Sequence, residues 1–367
     1  MILVVFGTTG ELIKLAPVLL RLQARRQRFV LATTGQQVTQ IPSFLEQFGL
    51  PQPDIWLGRG AGGRDLERSG DIPRWLAGVT RSFFRQHGRF RATLRDDQRR
   101  PLVLVHGDTM TTVLGALMGR ALRVPVAHIE AGLRSGDLRN PFPEELDRRV
   151  TSWLARIHYA PGAWAAANVG RGVVVDTGSN TIRDSLELVP TDASPAVPIP
   201  DEAFGIVSLH RFELLNNRAV LEQTIRALVD ASDSTPLLFV DHPVTKAAVQ
   251  RFQLEGIFER SRMRRIPRLR FFDFVRLERA SSFVVTDSGG SQEECFYLDK
   301  PCLVHRRRTE RREGLGENVV LSGLNDYALR SFLSYPSRHR RNGPLPKDSP
   351  SEQIIEDLVA RGFACGQ

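Results

Sequence analysis

Short apolar, β-branched runs recur along the chain, separated by stretches long enough for amphipathic helices. MILVVF (1–6), RFVLAT (28–33), LVLVH (102–106), PVAHIE (125–130) and GVVVDT (172–177) form a first series. After a break the rhythm resumes with FGIVSL (204–209), PLLFVD (236–241), SFVVTD (282–287) and PCLVH (301–305). Runs apolar on both faces and alternating with helices predict parallel sheets covered on both sides. These nine runs exceed one comfortable doubly wound sheet. The break, LVPTDASPAVPIPDEA (188–203), is rich in proline and small residues and has few groups to bury. The pattern predicts an α/β chain of two Rossmann-like doubly wound domains facing across a cleft, residues 1–178 and 179–350. SPSEQIIEDLVARGF (349–363) reads as one more amphipathic helix, with Ser351 as its N-cap.

A length of 367 residues, 41% of them hydrophobic, can supply two such cores. No window approaches the ~18 uninterrupted apolar residues of a membrane span. MILVVFGTTGE lacks the basic and long apolar regions of a signal peptide and reads as a first strand. Three cysteines, Cys295, Cys302 and Cys365, form no disulfide framework and have no metal-site spacing. They suit a reducing compartment, so a cytoplasmic protein without membrane insertion is expected. The net charge of +9 raises nucleic acid as a partner. However, the basic residues are spread along the chain, and only Lys14, Lys246, Lys300 and Lys347 are lysines. This is a compositional bias toward arginine rather than a binding stripe, and no nucleic-acid partner is expected. The densest cluster, HRRRTERRE (305–313), suits the phosphates of a small anionic ligand.

Ligands of open α/β sheets bind beyond the carboxyl ends of the strands, so the residues after each run carry the chemistry. GTTGELIKLAP (7–17) places Thr8 and a glycine-containing turn before a helix bearing Lys14. Free amides there and a nearby ammonium suit a phosphate. LVLVH is followed by Gly107, Asp108 and Thr109, and the next run leads into HIEAGLRSGD (128–137) and NPFPEELDRR (140–149). Asp108, Glu130 and Glu144 thus emerge near one edge of the first sheet as an acid–base set. Arg134 and Arg148 can hold these carboxylates ionised or meet a leaving anion. His128 and His158 read as structural. In the second half, SLHRFE (208–213) ends a strand on His210, and TDSGGSQEE (286–294) supplies Ser288, Gly289 and Gly290 at a second helix start. Glu294 lies one turn further and suits a ribose diol. Acids in one half and anion-binding groups in the other point to a nucleotide diphosphate.

Taken together and in order, these motifs resemble the UDP-N-acetylglucosamine 2-epimerase family, which has the glycosyltransferase-B fold. GTTGELIKLAP, HGDT, HIEAGLRSGD, PFPEELDRR, HRFE, HPVTK (242–246), FDFVRL (272–277), TDSGGSQEE and TERRE (309–313) follow at family spacing. The resemblance implies elimination of UDP from carbon 1 and a proton from carbon 2, then re-addition through a glycal. It implies Asp108, Glu130 and Glu144 as the acid–base set, with Lys14, His210 and Arg148 stabilising the diphosphate. It further implies nucleotide contacts from Thr8, Arg134, Phe274, Ser288, Gly289, Gly290, Glu294 and Arg311. The family pattern requires neither metal nor redox cofactor. It also implies a homodimer, and a helix 351–367 that crosses back to the first domain.

The chain departs from the family in places. Thr9-Gly10 replaces Arg-Pro in the first loop, Gln37 replaces a histidine, and Arg312 replaces the proline of TERPE. Many bacterial relatives require a second UDP-GlcNAc as effector, and Gln37 and Thr245 stand at the positions of two histidines that hold it. A hydrolysing epimerase releasing N-acetylmannosamine and UDP, or a nucleotide-sugar glycosyltransferase, remains open at this level.

Overall fold

The computed structural model describes residues 1–66, 69–137, 143–191 and 196–366, apart from the side chains of Ser69 and Arg260. Residues 140–142 of NPFPEELDRR, 192–195 of the proline-rich break and Gln367 lie outside the described residues. Two compact units are formed, one of Met1–Leu188 with Pro346–Gln367, the other of Val189–Leu345.

The first unit is built on a parallel seven-stranded sheet. Its strands are β1 (Ile2–Phe6), β2 (Phe29–Thr33), β3 (Ile55–Trp56), β4 (Leu102–His106), β5 (Val126–Ile129), β6 (Ile157–Ala160) and β7 (Val173–Asp176). Their order is β3-β2-β1-β4-β5-β6-β7, so the winding reverses between β1 and β4. Every side chain of β1 and β4 is buried, as expected of strands with helices on both faces. The helices that matter below are α1 (Thr9–Ala24), α2 (Ile72–Arg95), α3 (Met110–Leu122), α4 (Glu144–Leu154) and α5 (Ile182–Glu187). β4 pairs with β5 up to His106↔Ile129, which brings the turns carrying Asp108 and Glu130 side by side.

The first unit extends through Leu188, not 178. The reason is α5, which packs on α1: the Ser185 hydroxyl donates to the Ile13 carbonyl at 2.7 Å. Buried Asp184 also receives the amide of Ser351 and the hydroxyl of Ser349, both at 2.8 Å. These bonds attach a further helix, Pro350–Ala360, to the same unit. Its N-cap is Ser349 rather than Ser351. The Ser349 side chain accepts from the Glu352 amide at 3.2 Å, while Ser351 is buried against Asp184. Tyr159 on β6 donates to Asp357 of this helix at 2.9 Å.

The second unit carries a parallel six-stranded sheet of order β10-β9-β8-β11-β12-β13. Here β8 is Gly205–Ser208, β9 Leu237–Asp241, β10 Met263–Pro267, β11 Phe283–Thr286, β12 Cys302–Val304 and β13 Val319–Leu321. Its winding reverses between β8 and β11. Helix α6 (Phe271–Ala280) leads into β11, and α7 (Gly289–Tyr297) leaves it. The α/β expectation and the Rossmann-like winding of both sheets therefore hold, with four strands added to the nine read from sequence. Among the described residues, no helix is long and apolar enough to cross a membrane.

Candidate active site

In the first unit, chemistry collects beyond β1, β4 and β5, where the winding reverses. Thr8 is the N-cap of α1, and Glu11 closes a capping box with it. Glu11 Oε2 accepts from the Gly7 and Thr8 amides, each at 2.9 Å, and from the Thr8 hydroxyl at 3.0 Å. Its other oxygen accepts from the hydroxyl of Thr109 at 2.8 Å, on the turn after β4, and lies 3.3 Å from that of Thr112, whose proton goes to the His106 carbonyl at 2.6 Å. The amide of Thr9 goes to Gln37 Oε1. The expectation of free amides at this turn therefore fails for Gly7, Thr8 and Thr9, whose donors already have protein partners. Thr8 is a helix cap in this structure.

The turn after β4 depends on Gly107, whose φ of +73° is the left-handed conformation glycine adopts without strain. His128 Nε2 lies 2.7 Å from the Gly107 carbonyl, which can only accept, so Nε2 carries the proton. Complete burial pushes this imidazole down to about 3, keeping it neutral. His128 is thus a fixed neutral brace for the residue preceding Asp108. His158, on the neighbouring strand, is also buried and held at about 4 by burial and then by Arg171.

Asp108 forms an ion pair with the buried guanidinium of Arg148. Glu130, itself buried, contacts the Lys14 ammonium and the Asn180 side-chain amide. His106 Nε2 stands 3.9 Å from the same carboxylate. Glu130 has φ +65°, a left-handed conformation costly for a non-glycine residue, which aims it away from the path of β5. Glu144 opens α4, and Asp147 follows on the same helix. Burial first, then the charges of Asp108 and Glu144, push the Asp147 carboxyl up to about 7. This places the Asp147 carboxyl near the range where general acids and bases work.

Lys14 with Glu130 and Arg148 with Asp108 are therefore ion pairs at neighbouring strand ends, and Glu144 opens the helix that bears Arg148. Arg134 is not part of the pairing. Its guanidinium donates to the carbonyls of Leu133 at 2.8 Å and Asn168 at 3.3 Å, bracing its own loop.

In the second unit, Ser288 caps α7, its hydroxyl accepting from the Ser291 amide at 3.4 Å. Gly289 sits against the TERRE segment. A Cβ there would lie 3.2 Å from Glu310 Oε1 and 3.3 Å from Arg311 Cγ, so a side chain would push that segment away. Two helix residues hold TERRE in place. Gln292 donates to the Glu313 carbonyl at 3.1 Å and accepts from Thr309 at 2.8 Å, while Glu293 pairs with Arg311 at 2.8 Å. Glu294 is buried on the same helix, and Phe274 on α6 is partly buried against the core.

Asp287, fully buried, accepts the amides of His210 at 2.9 Å and Arg211 at 2.7 Å, fixing the turn after β8. Its other contact is His210 Nδ1 at 3.4 Å. His210 lies 4.7 Å from His242, ring to ring. Burial, then Arg211, Arg268 and Arg306, push His210 down to about 4. Burial and then His210 push His242 down to about 3. Neutral imidazoles, several guanidiniums and a helix start make this a strongly anion-favouring region.

Glu11, Asn180 and Asp147 in the first unit, and Asp287, His242, Gln292 and Glu293 in the second, are not among the residues expected from sequence, whereas Arg306 lies in the HRRRTERRE cluster expected to meet phosphates. A signal existed for some, since the acids of TDSGG and QEE fall in the turn after an apolar strand and in the helix that follows it. Asn180 follows the end of β7 in the uncharged stretch TGSN (177–180), which carries no acid or base to mark it.

A family model described as UDP-N-acetylglucosamine 2-epimerase matches residues 21–331. A probable UDP-N-acetylglucosamine 2-epimerase of Ralstonia solanacearum is 34% identical, covering 98% of both chains. The UDP-N-acetylglucosamine 2-epimerase of Bacillus subtilis is 29% identical over 98% of this chain and 94% of its own. Among solved structures, the UDP-GlcNAc 2-epimerase of Neisseria meningitidis bound to UDP-GlcNAc superposes with a TM-score of 0.79 at 27% identity. It covers 98% of this chain and 99% of its own.

Proposed function

The chain belongs to the UDP-N-acetylglucosamine 2-epimerase family, and from that premise we propose that it interconverts UDP-GlcNAc and UDP-ManNAc. The observation that carries this reading is the pair of acids on adjacent strand ends, Asp108 against Arg148 and Glu130 against Lys14. Epimerisation at carbon 2 needs one group to remove a proton and another to return it on the opposite face. Carbon 2 is scarcely acidic, so loss of UDP leads, and the ring becomes electron-poor. Carboxylates beside it stabilise that state, and Glu144 completes the set. Lys14, Arg148 and His210 oppose the charge of the departing diphosphate. Ser288, Gly289 and Gly290 offer it the start of α7, with Arg311 held behind by Glu293. Phe274 borders the uracil and Glu294 takes the ribose.

The test is incubation with UDP-GlcNAc in deuterium oxide, followed by proton NMR. Deuterium at carbon 2 with UDP-ManNAc formed is the expected outcome. Free N-acetylmannosamine would replace the reading by a hydrolysing one, and an untouched donor that reacts only with an acceptor would make it a transferase.

The active form is a homodimer joined through the first unit. Helices α2, α3 and α4 pack on one core yet leave Phe84, Leu117, Leu146 and Trp153 exposed. Large apolar groups on neighbouring helices mark an association surface. Leu117→Arg should yield monomers by light scattering after gel filtration, and an unchanged mass would remove this interface. Three free cysteines support action in the cytoplasm.

A further inference from the structure

We propose that Glu11 is a positioning residue for the epimerisation proposed above. It joins the turn that leads to Lys14 to the turn that presents Asp108. A capping box explains only half of its contacts. Oε2 does the local work, accepting from Gly7 and Thr8 at the start of α1. Oε1 reaches residues far along the chain, the hydroxyls of Thr109 and Thr112.

Those hydroxyls are not idle surface groups. Thr109 is the N-cap of α3 and directly follows Asp108. Thr112 is fully buried and donates its hydroxyl proton to the His106 carbonyl at 2.6 Å, so the hydrogen bond across to Glu11 comes from Thr109 while Thr112 packs 3.3 Å from the same oxygen. Lys14 lies on the same helix as Glu11, one turn along, and meets Glu130. One carboxylate therefore fixes the spacing between the helix bearing Lys14 and the turn bearing Asp108. Small displacements of such groups cost rate far more than binding.

The inference rests on the epimerase reading for its kinetic consequence, but its geometric claim can be tested without activity. Hydrogen exchange is followed by mass spectrometry in peptides covering residues 5–12 and 102–113. Glu11→Asp keeps a carboxylate at the α1 turn but is one methylene too short to reach both turns. It should leave residues 5–12 protected, raise exchange in 102–113 by at least ~10-fold, and lower kcat by ~10-fold or more. KM and UDP affinity should stay within about threefold. Glu11→Gln can still bridge, since threonine hydroxyls accept as well as donate. It should restore protection in 102–113 and most of kcat. If exchange in 102–113 is unchanged in Glu11→Asp, Glu11 is only a helix cap and the proposal is overturned. A wild-type protein that does not exchange the carbon 2 proton would instead remove the epimerase reading, and the exchange result would still decide the bridge.

Discussion

Gln37 Oε1 accepts two hydrogen bonds from one residue, the amide of Thr9 at 2.8 Å and its hydroxyl at 2.7 Å. Both residues depart from the family motifs, Thr9 where an arginine is usual and Gln37 where a histidine is. The two changes therefore satisfy each other. Thr245, at the second changed histidine position, is fully buried, and its hydroxyl donates to the Leu209 carbonyl.

These engagements bear on the effector that the family resemblance implies. An effector acts only through the coupling free energy of its contacts, and here the Gln37 side-chain oxygen is engaged by Thr9 while Thr245 is buried against the Leu209 carbonyl. Starting from UDP-ManNAc alone, the reaction should proceed without a lag. A long lag abolished by traces of UDP-GlcNAc would show an intact effector site.

Asp108→Asn and Glu130→Gln should each reduce turnover by at least ~100-fold, the usual scale for an acid–base group. UDP affinity measured by calorimetry should change little, because neither acid is assigned to the nucleotide. Near-normal turnover in either variant would take that acid out of the reaction.

Asp147 gives a stability prediction with a definite sign. Its folded-state carboxyl is raised from 3.8 to about 7, so between these values the folded chain holds a proton that the unfolded chain has lost. Folding is therefore penalised increasingly as pH rises from about 4 to 7. Asp147→Asn removes the penalty and should stabilise the protein by about 1–3 kcal/mol at pH 8. The advantage should vanish below pH 4. Denaturant unfolding of both proteins across this range is the measurement, and a constant difference would contradict the assignment.

His210 predicts a proton taken up with the ligand. Burial, then nearby arginines, hold the free imidazole near 4, and a bound diphosphate would favour its charged form. At pH 6, UDP binding should take up a fraction of a proton, read from calorimetry in buffers of differing ionisation enthalpy. His210→Asn should abolish the uptake and weaken binding by ~10-fold, while equal uptake in the variant would place the proton elsewhere.

Much of the fold was legible because interior parallel strands are apolar throughout, as in ILVVF and LVLVH. The strands that escaped notice have physical reasons to do so. β3 has two residues, β10 reads MRRIP, and β13 has three, and all three lie at sheet edges where one side needs no neighbour. β6 is interior, but its IHYA hides a buried histidine within four residues.

Candidate site residues could be named from sequence where a strand end carries its own chemistry, as at Asp108, Glu130 and His210. Glu11 was not, because a local capping box accounts for its sequence position and the threonines it reaches lie far along the chain. Asp147 was not, because its raised carboxyl arises from burial and from acids that only folding brings near. The conformation of Glu130 belongs to the same class, since nothing in HIEAG announces a left-handed acid.

The Pro350–Ala360 helix, pinned to Asp184, has a consequence for biosynthesis. A ribosome that has translated through Leu345 has supplied every residue of the contiguous second unit. The first unit still lacks a segment that covers α1 and receives Tyr159. The unit encoded first is thereby the one completed last, inverting the N-to-C order in which domains commonly fold. A chain truncated after residue 345 should keep 189–345 resistant to protease while 1–188 is cut.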